Sequence, residues 1–405
     1  LVSGNEDYVY PGYSQNPLFQ TAVAWKITKN EKYLKKALKF FNGFLDEDKG
    51  YLATRKSYFA FIESENEYAR GDFKVCRAQS MGWVQEAEFF NRVAMTYDII
   101  YECFTQKQHK QIEECLRNYM RFSAWRITDG DGNNFQVAEA GAGLLCAFVL
   151  QDQEMIERFL YGYNGIEDLL SAVLLDDGMY FEEAAGYVRL AGELLFDIVN
   201  AAENYGISLK DRRVSASYDR DIIHSPWSVR ETWAEDGKPF LGMSFRRFDE
   251  FSRTTRCFKD YFDCIAKLLT DKGIMFSIND SNEQNFTQLY QKAYYLYKEP
   301  LYKKIGDLAA NPELFFVLEE DYSFEPGKHS VLLTAAGFGI LRDDKSQAVL
   351  KTGGHGGYHG HFDRLSLASY FKDNMTFHNN EYAWFGYDSF LFKMWVQTSM
   401  AHNMT

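Results

Sequence analysis

The 405 residues carry a net charge of -13 at neutral pH, with 46% hydrophobic residues. That acidity excludes general nucleic-acid binding, which needs a basic surface against phosphate. No apolar run approaches the ~20 residues of a membrane-spanning helix.

Up to about residue 325 the chain reads as helices. "EKYLKKALKFFNGFL" sets Tyr33, Leu34, Ala37, Leu38, Phe41 and Leu45 on one stripe, the spacing of an amphipathic helix. "QHKQIEECLRNYMRF" does the same with Ile112, Cys115, Leu116, Tyr119 and Met120. Similar patterns follow in "EAEFFNRVAMTYDIIYECF", "NNFQVAEAGAGLLCAFVL", "GIEDLLSAVLL", "YVRLAGELLFDIVNAAENYG" and "FKDYFDCIAKLLTDKG". Short Gly-, Asp- and Asn-bearing links join them, as in antiparallel helix pairs. Without a strict repeat, a helical toroid fits better than a regular solenoid.

After "EPGKHS" the pattern changes. "SVLLTAAGFGILRDD", "SQAVLKTGG", "RLSLASYF" and "NMTFHNNEYAWF" are short β-branched or aromatic runs broken by Gly and Asp, the signature of strands. The expected class is multidomain, α then β. An incomplete (α/α) toroid of helix hairpins occupies residues 1–325, and an antiparallel β-sandwich begins over 326–405. So short a β part is expected to continue past Thr405. The six cysteines show no C-x-x-C spacing and read as buried free thiols. No signal peptide is visible in this chain, which leaves export open.

Three stretches carry candidate chemistry. "GGHGGYHGH", residues 353–361, packs three histidines and five glycines into nine residues. On an extended strand His359 and His361 point to one face; His378 and His402 lie in later runs, and three imidazoles converging from neighbouring strands suit a divalent metal. Asn133 and Asn134 in "DGDGNNFQVAEAGAG" precede a helix. They cap it, or their amides hold a substrate carboxylate. In "DDGMYFEEAAGYVRL", Tyr187 and Arg189 sit just inside a helix, where a tyrosine either packs or moves a proton. Arg246, Arg247, Arg253 and Arg256 form either a local basic cleft for a polyanion or a solvated face.

In this order, the blocks "HGHFDRLSL" and "QTSMAHNMT", the Asn-bearing turn and the later "DG…E…Y" helix start resemble the heparinase II/III-like polysaccharide lyases, over about residues 80–405. The resemblance implies a lyase that cleaves a uronic-acid-containing polysaccharide by β-elimination, leaving unsaturated sugar ends. A glycosaminoglycan such as heparan sulfate, hyaluronan or chondroitin, or an alginate- or gellan-type chain, is the implied substrate. It implies Asn134 as the group that neutralises the uronate carboxylate, with Asn133 or Gln136 helping, and Tyr187 as the proton donor to the leaving oxygen. His359 is implied as base or carboxylate neutraliser. Arg189 and a β-domain tyrosine, Tyr382 or Tyr387, are further substrate-binding candidates. By the same resemblance His361, His378 and His402 hold a structural divalent metal, zinc by its ligand set. The sequence departs from the family pattern twice: His378 stands where an Asp is usual, and Phe135 where many relatives have His.

Such an enzyme would work in the periplasm or outside the cell, on an acidic polysaccharide, with no nucleic-acid partner. Two other readings compete. A glycoside hydrolase on the same toroid would pair Asp176 or Asp177 with Glu182 or Glu183; a non-catalytic carbohydrate-binding protein would need neither.

Overall fold

The computed structural model describes residues 18–47, 83–127, 133–162, 164–215, 255–310, 327–352, 359–361, 365–371, 374–377 and 390–402. The chain divides into two compact units, Leu1–Gly130 with Phe135–Ile166 and Asp131–Asn134 with Glu167–Thr405.

The first unit is helical: α1 (Leu18–Thr28), α2 (Glu31–Phe44), α3 (Trp83–Ile99), α4 (Gln106–Arg126), α5 (Asn134–Leu150, all but its first residue) and α6 (Gln153–Tyr161). Short side chains start two of them. Asn30 Oδ1 accepts from the Lys32 N–H at 3.0 Å, and Asp152 Oδ1 from the Met155 N–H at 3.2 Å, each satisfying a donor the helix cannot. The buried face of α2 differs from the expected stripe. It runs through Ala37, Phe40, Phe41 and Phe44, while Tyr33 is exposed. The aromatics decide this: Phe41 meets Phe104 at 4.8 Å and Phe44 meets Phe89 at 5.7 Å, and Tyr33 keeps its hydroxyl near water. On α4 all five expected residues are buried, and Tyr119 stacks on Phe90 at 4.0 Å.

The longer segment of the second unit opens with α7 (Ile166–Val173, all but its first residue) and a tight turn at Asp177-Gly178. Gly178 has φ +87°, and a Cβ there would strike the Asp260 carbonyl, so only glycine fits. Helix α8 (Ala185–Tyr205) follows and ends on Gly206 at φ +93°, a left-handed cap. Then come β1 (Val214–Ser215), β2 (Thr255–Arg256), α9 (Phe258–Leu268), β3 (Ile274–Met275), β4 (Gln284–Asn285), α10 (Thr287–Tyr297) and α11 (Pro300–Asp307).

The expected strands form one five-stranded antiparallel sheet in sequence order: β5 (Val331–Leu333), β6 (Phe338–Arg342), β7 (Ser346–Lys351), β8 (Ser366–Phe371) and β9 (Asn374–Phe377). Ile340, Val349 and Ala368 are in register across it and buried, while Leu332 and Leu341 face outward. This is the period-two alternation of a sheet with one covered face. The change from helix to sheet falls between α11 and β5.

Two expectations need qualification. Arg256 is no part of an open basic cleft: it is 1% exposed and ion-paired with Asp176. Arg246, Arg247 and Arg253 lie outside the described residues. Cys103, Cys115, Cys146, Cys257 and Cys264 are free thiols, and all but Cys103 are buried; Cys76 lies outside the described residues. Among the described residues no helix is long and apolar enough to cross a membrane.

Candidate active site

The second unit draws the chemical residues together around one short loop. β3 runs into Ser277, Ile278, Asn279, Asp280 and Ser281, and an Ile278–Ser281 bridge closes the turn. Asn279 takes φ +53°, a conformation that Asn tolerates better than most side chains. The turn is braced from inside by Ser277 Oγ, which donates to the Ser281 carbonyl at 2.9 Å. From the sheet, the Tyr370 hydroxyl accepts from the Ser277 N–H at 3.2 Å.

This loop touches two of the three stretches that carry candidate residues. On the helix side, Ser281 Oγ accepts from the Gly186 N–H at 2.8 Å, in the first turn of α8, and Asn279 Nδ2 donates to the Glu182 carbonyl at 3.4 Å. That fixes the helix start on which Tyr187 sits. On the histidine side, Asn279 Oδ1 accepts from Lys351 Nζ at 2.5 Å and from the His361 N–H at 3.3 Å. Asp280 then receives both imidazoles. His359 Nδ1 donates to Oδ2 at 3.0 Å, and His361 Nε2 to Oδ1 at 2.6 Å.

His359 and His361 reach the same carboxylate although neither lies on a strand. The extended geometry expected for "HGH" is therefore not what aligns them; the shared acceptor does. The ring of His359 stacks on Tyr187, centroids 3.5 Å apart and planes 16° from parallel. Burial pulls the His359 pKa down, with the Asp280 carboxylate opposing, so the ring is neutral near pH 7. On its other side, the His361 ring lies 5.1 Å from that of His402, whose Nε2 donates to the Val396 carbonyl at 3.1 Å.

Glu182, whose carbonyl accepts from Asn279, is 3% exposed. Its carboxyl pKa is pushed up to about 8, first by burial and further by Asp280, against the pull of the Tyr180 hydroxyl. Its Oε2 has no hydrogen-bond partner among the described residues. Arg189 is half-buried and turns to Glu193 at 3.0 Å and to Gln284 at 3.5 Å.

Asn134 is the first residue of α5 and 4% exposed; Asn133 precedes it, half-buried. Gln136, expected to help bind substrate, is 3% exposed and spends its amide nitrogen on the Ile127 and Asn164 carbonyls, at 3.4 and 3.2 Å. It braces the start of α5. His378, Tyr382, Tyr387 and His355 lie outside the described residues. Of the hydrolase carboxylates, Asp176 pairs with Arg256, and Asp177 accepts from the Met179, Ala335 and Ala336 N–H groups. Glu182 and Glu183 are buried.

Among solved structures, heparinase III superimposes with a TM-score of 0.55 at 13% identity, over 95% of this chain and 53% of that one. The chain has the heparinase III fold. A second heparinase III gives 0.53 at 14% identity, over 98% of this chain and 57% of that one. The heparan sulfate lyase of Pedobacter heparinus gives 0.52 at 12%, over 98% and 55%. The class expected from the sequence, toroid helices followed by antiparallel sheet, is thus borne out. The chain spans a little over half the length of these heparinase structures. Comparison with protein-family models gives no match, and comparison with curated proteins gives none.

Sequence reasoning missed Asn279 and Asp280. "GIMFSINDSNE" weakly resembles a segment of the lyase family, but nothing in its composition announces a carboxylate shared by two distant histidines. Lys351, at the end of an alternating strand, gives no signal either.

Proposed function

We propose that the chain carries the catalytic centre of a polysaccharide lyase that cleaves uronate-containing chains by β-elimination. The observation that carries this reading is the His359–Tyr187 stack: a neutral imidazole and a phenol, both able to carry a proton, lie face to face. The fold shared with heparinase III supports it.

The reaction must remove the proton on C5, beside a carboxylate, and break the C4–O4 bond. A C–H next to a carboxylate is barely acidic, because the dianion left behind is unfavourable. His359 takes the C5 proton, since a buried neutral ring accepts a proton better than it cancels a negative charge. The electron pair forms the C4=C5 double bond as O4 leaves, and the Tyr187 hydroxyl gives O4 its proton. Asn134, helped by Asn133, holds the uronate carboxylate and the charge that develops on it. Arg189 and Tyr382 or Tyr387 line the sugar path. The engagement of Asp176 and Asp177 by structural partners speaks against a hydrolase built on them.

The described residues assemble no group of three metal-ligating side chains, but the ring chemistry of His361 and His402 suits two of the ligands. Each donates from Nε2 to a protein acceptor, so in its uncharged form each ring would keep its lone pair on Nδ1. With His378 they would hold a divalent cation, zinc by the chemistry of an all-imidazole set. Its contribution would be to fix the wall of the site beside His359.

The substrate is an acidic polysaccharide met in the periplasm or outside the cell. Digestion of heparan sulfate, hyaluronan, chondroitin, alginate and gellan, followed by ultraviolet absorbance and product mass, tests the reading. At least one should gain absorbance from unsaturated ends. New reducing ends without absorbance would establish a hydrolase, and binding without turnover a carbohydrate-binding protein. Tyr187→Phe should remove turnover while the folded chain persists; full activity would take Tyr187 out of the mechanism.

A further inference from the structure

We propose that Asp280 is the positioning residue of this site, one carboxylate that sets the tautomers of His359 and His361 together. His359 is thereby held with its lone pair on Nε2, and His361 with its lone pair on Nδ1.

The geometry supports this in three ways. First, the Asp280 side chain has no exposed surface, so water cannot take the place of its protein donors. Each oxygen receives one imidazole, at 3.0 Å from His359 Nδ1 and 2.6 Å from His361 Nε2. Carboxylate oxygens accept, so each ring nitrogen facing them carries the hydrogen. A neutral imidazole that donates from one nitrogen has its lone pair on the other.

Second, the two rings engage Asp280 through different nitrogens. One acceptor thus produces opposite tautomers two residues apart, which a polar wall without direction would not do. The two tautomers suit two tasks: Nε2 of His359 is left as a base, and Nδ1 of His361 as a ligand atom.

Third, the carboxylate is itself held still. The Asp280 N–H donates to the His359 carbonyl at 3.3 Å, and Asn279 Oδ1 accepts from the His361 N–H. The same loop holds Gly186 at the start of the Tyr187 helix. Asp280 therefore holds His359 against Tyr187 from a loop tied to both.

Only the kinetic part of the test rests on the lyase reading. The full chain, labelled with nitrogen-15 in its histidine rings, is measured by long-range proton–nitrogen correlation, as purified and after chelation. His359→Gln and His361→Gln assign the two rings. His359 should carry its proton on Nδ1 and His361 on Nε2, in both states. In Asp280→Asn the amide keeps one acceptor oxygen, so at least one ring should switch or mix tautomers. On whichever polysaccharide is turned over, kcat should fall roughly 10–100-fold with KM little changed, the usual scale for an outer partner of a site histidine.

A wild-type His359 protonated on Nε2, or His361 on Nδ1, overturns the proposal even if the variant fails to fold. So does a folded Asp280→Asn with unchanged tautomers and unchanged kcat. A chain inactive on every polysaccharide but showing both expected tautomers removes the lyase reading and upholds the role of Asp280.

Discussion

Glu182 offers a test of the site's electrostatics that needs no substrate. Its carboxyl is buried, and its pKa rises from 4.5 to about 8, with burial the first cause and Asp280 adding to it. Below pH 4.5 the folded and unfolded chains both hold this proton, and Glu182 costs nothing. Between 4.5 and about 8 the unfolded chain releases the proton while the folded chain keeps it, so stability falls as pH rises. Above 8 both are ionised and the cost is constant. A shift of this size corresponds to at most about 5 kcal/mol at 1.36 kcal/mol per pKa unit. Glu182→Gln keeps the shape and the contact with Tyr180, and it has no proton to lose. The variant should therefore match the parent near pH 4.5 and exceed it increasingly toward pH 8.5. There the gain in Tm should be on the order of 10 °C, from about 2–4 °C per kcal/mol for a unit of this size. Calorimetric scans of both proteins across pH 4.5–9 measure it. Parallel Tm curves, or a variant less stable than the parent at pH 8.5, would refute the argument that Glu182 is a buried acid held protonated.

Other substitutions probe the frame around the site. Ser281→Ala should cost about 1 kcal/mol in denaturant unfolding, the value of one lost hydrogen bond, and loosen the start of α8, read as faster hydrogen exchange at Gly186. Asp176→Asn should cost about 3–5 kcal/mol, because it leaves Arg256 buried without its carboxylate; a loss under 1 kcal/mol would show the pair is not what holds Arg256. In the first unit, Phe41→Ala should cost about 3–5 kcal/mol, since Phe41 has no exposed surface. Gly143→Ala should also destabilise, by about 1–3 kcal/mol, because a Cβ there would strike Phe159 and Ser123. If zinc is held by His361 and His402, elemental analysis should find about one ion per chain, and His402→Ala should lose both the ion and thermal stability.

The sequence by itself determined the order of classes, helices and then strands, and marked most of the longer helices. Helical spacing marked α4 residue by residue, and alternation in "RLSLASYF" marked β8, because these patterns are consequences of 3.6- and 2-residue geometry that burial enforces locally; β6 and β7 were marked by β-branched and apolar composition between Gly and Asp turns. The sequence also marked Tyr187 and the paired histidines as candidates, through the resemblance that their blocks carry. Where several apolar residues competed, as on α2, only packing decided: the phenylalanines meeting Phe89 and Phe104 took the core, and Tyr33 did not.

Tertiary structure alone decided what joins the site. Asp280 lies 79 positions from His359 and 81 from His361, and no local pattern encodes an acceptor shared across that distance. The same holds for Ser281 with Gly186 and for Lys351 with Asn279. Hydrogen bonds and charge pairs depend on where atoms meet in space, whereas periodicity records only which face of one element is dry. The candidate residues were therefore legible in the chain, and the carboxylate that two of them share became legible only when the fold brought it between them.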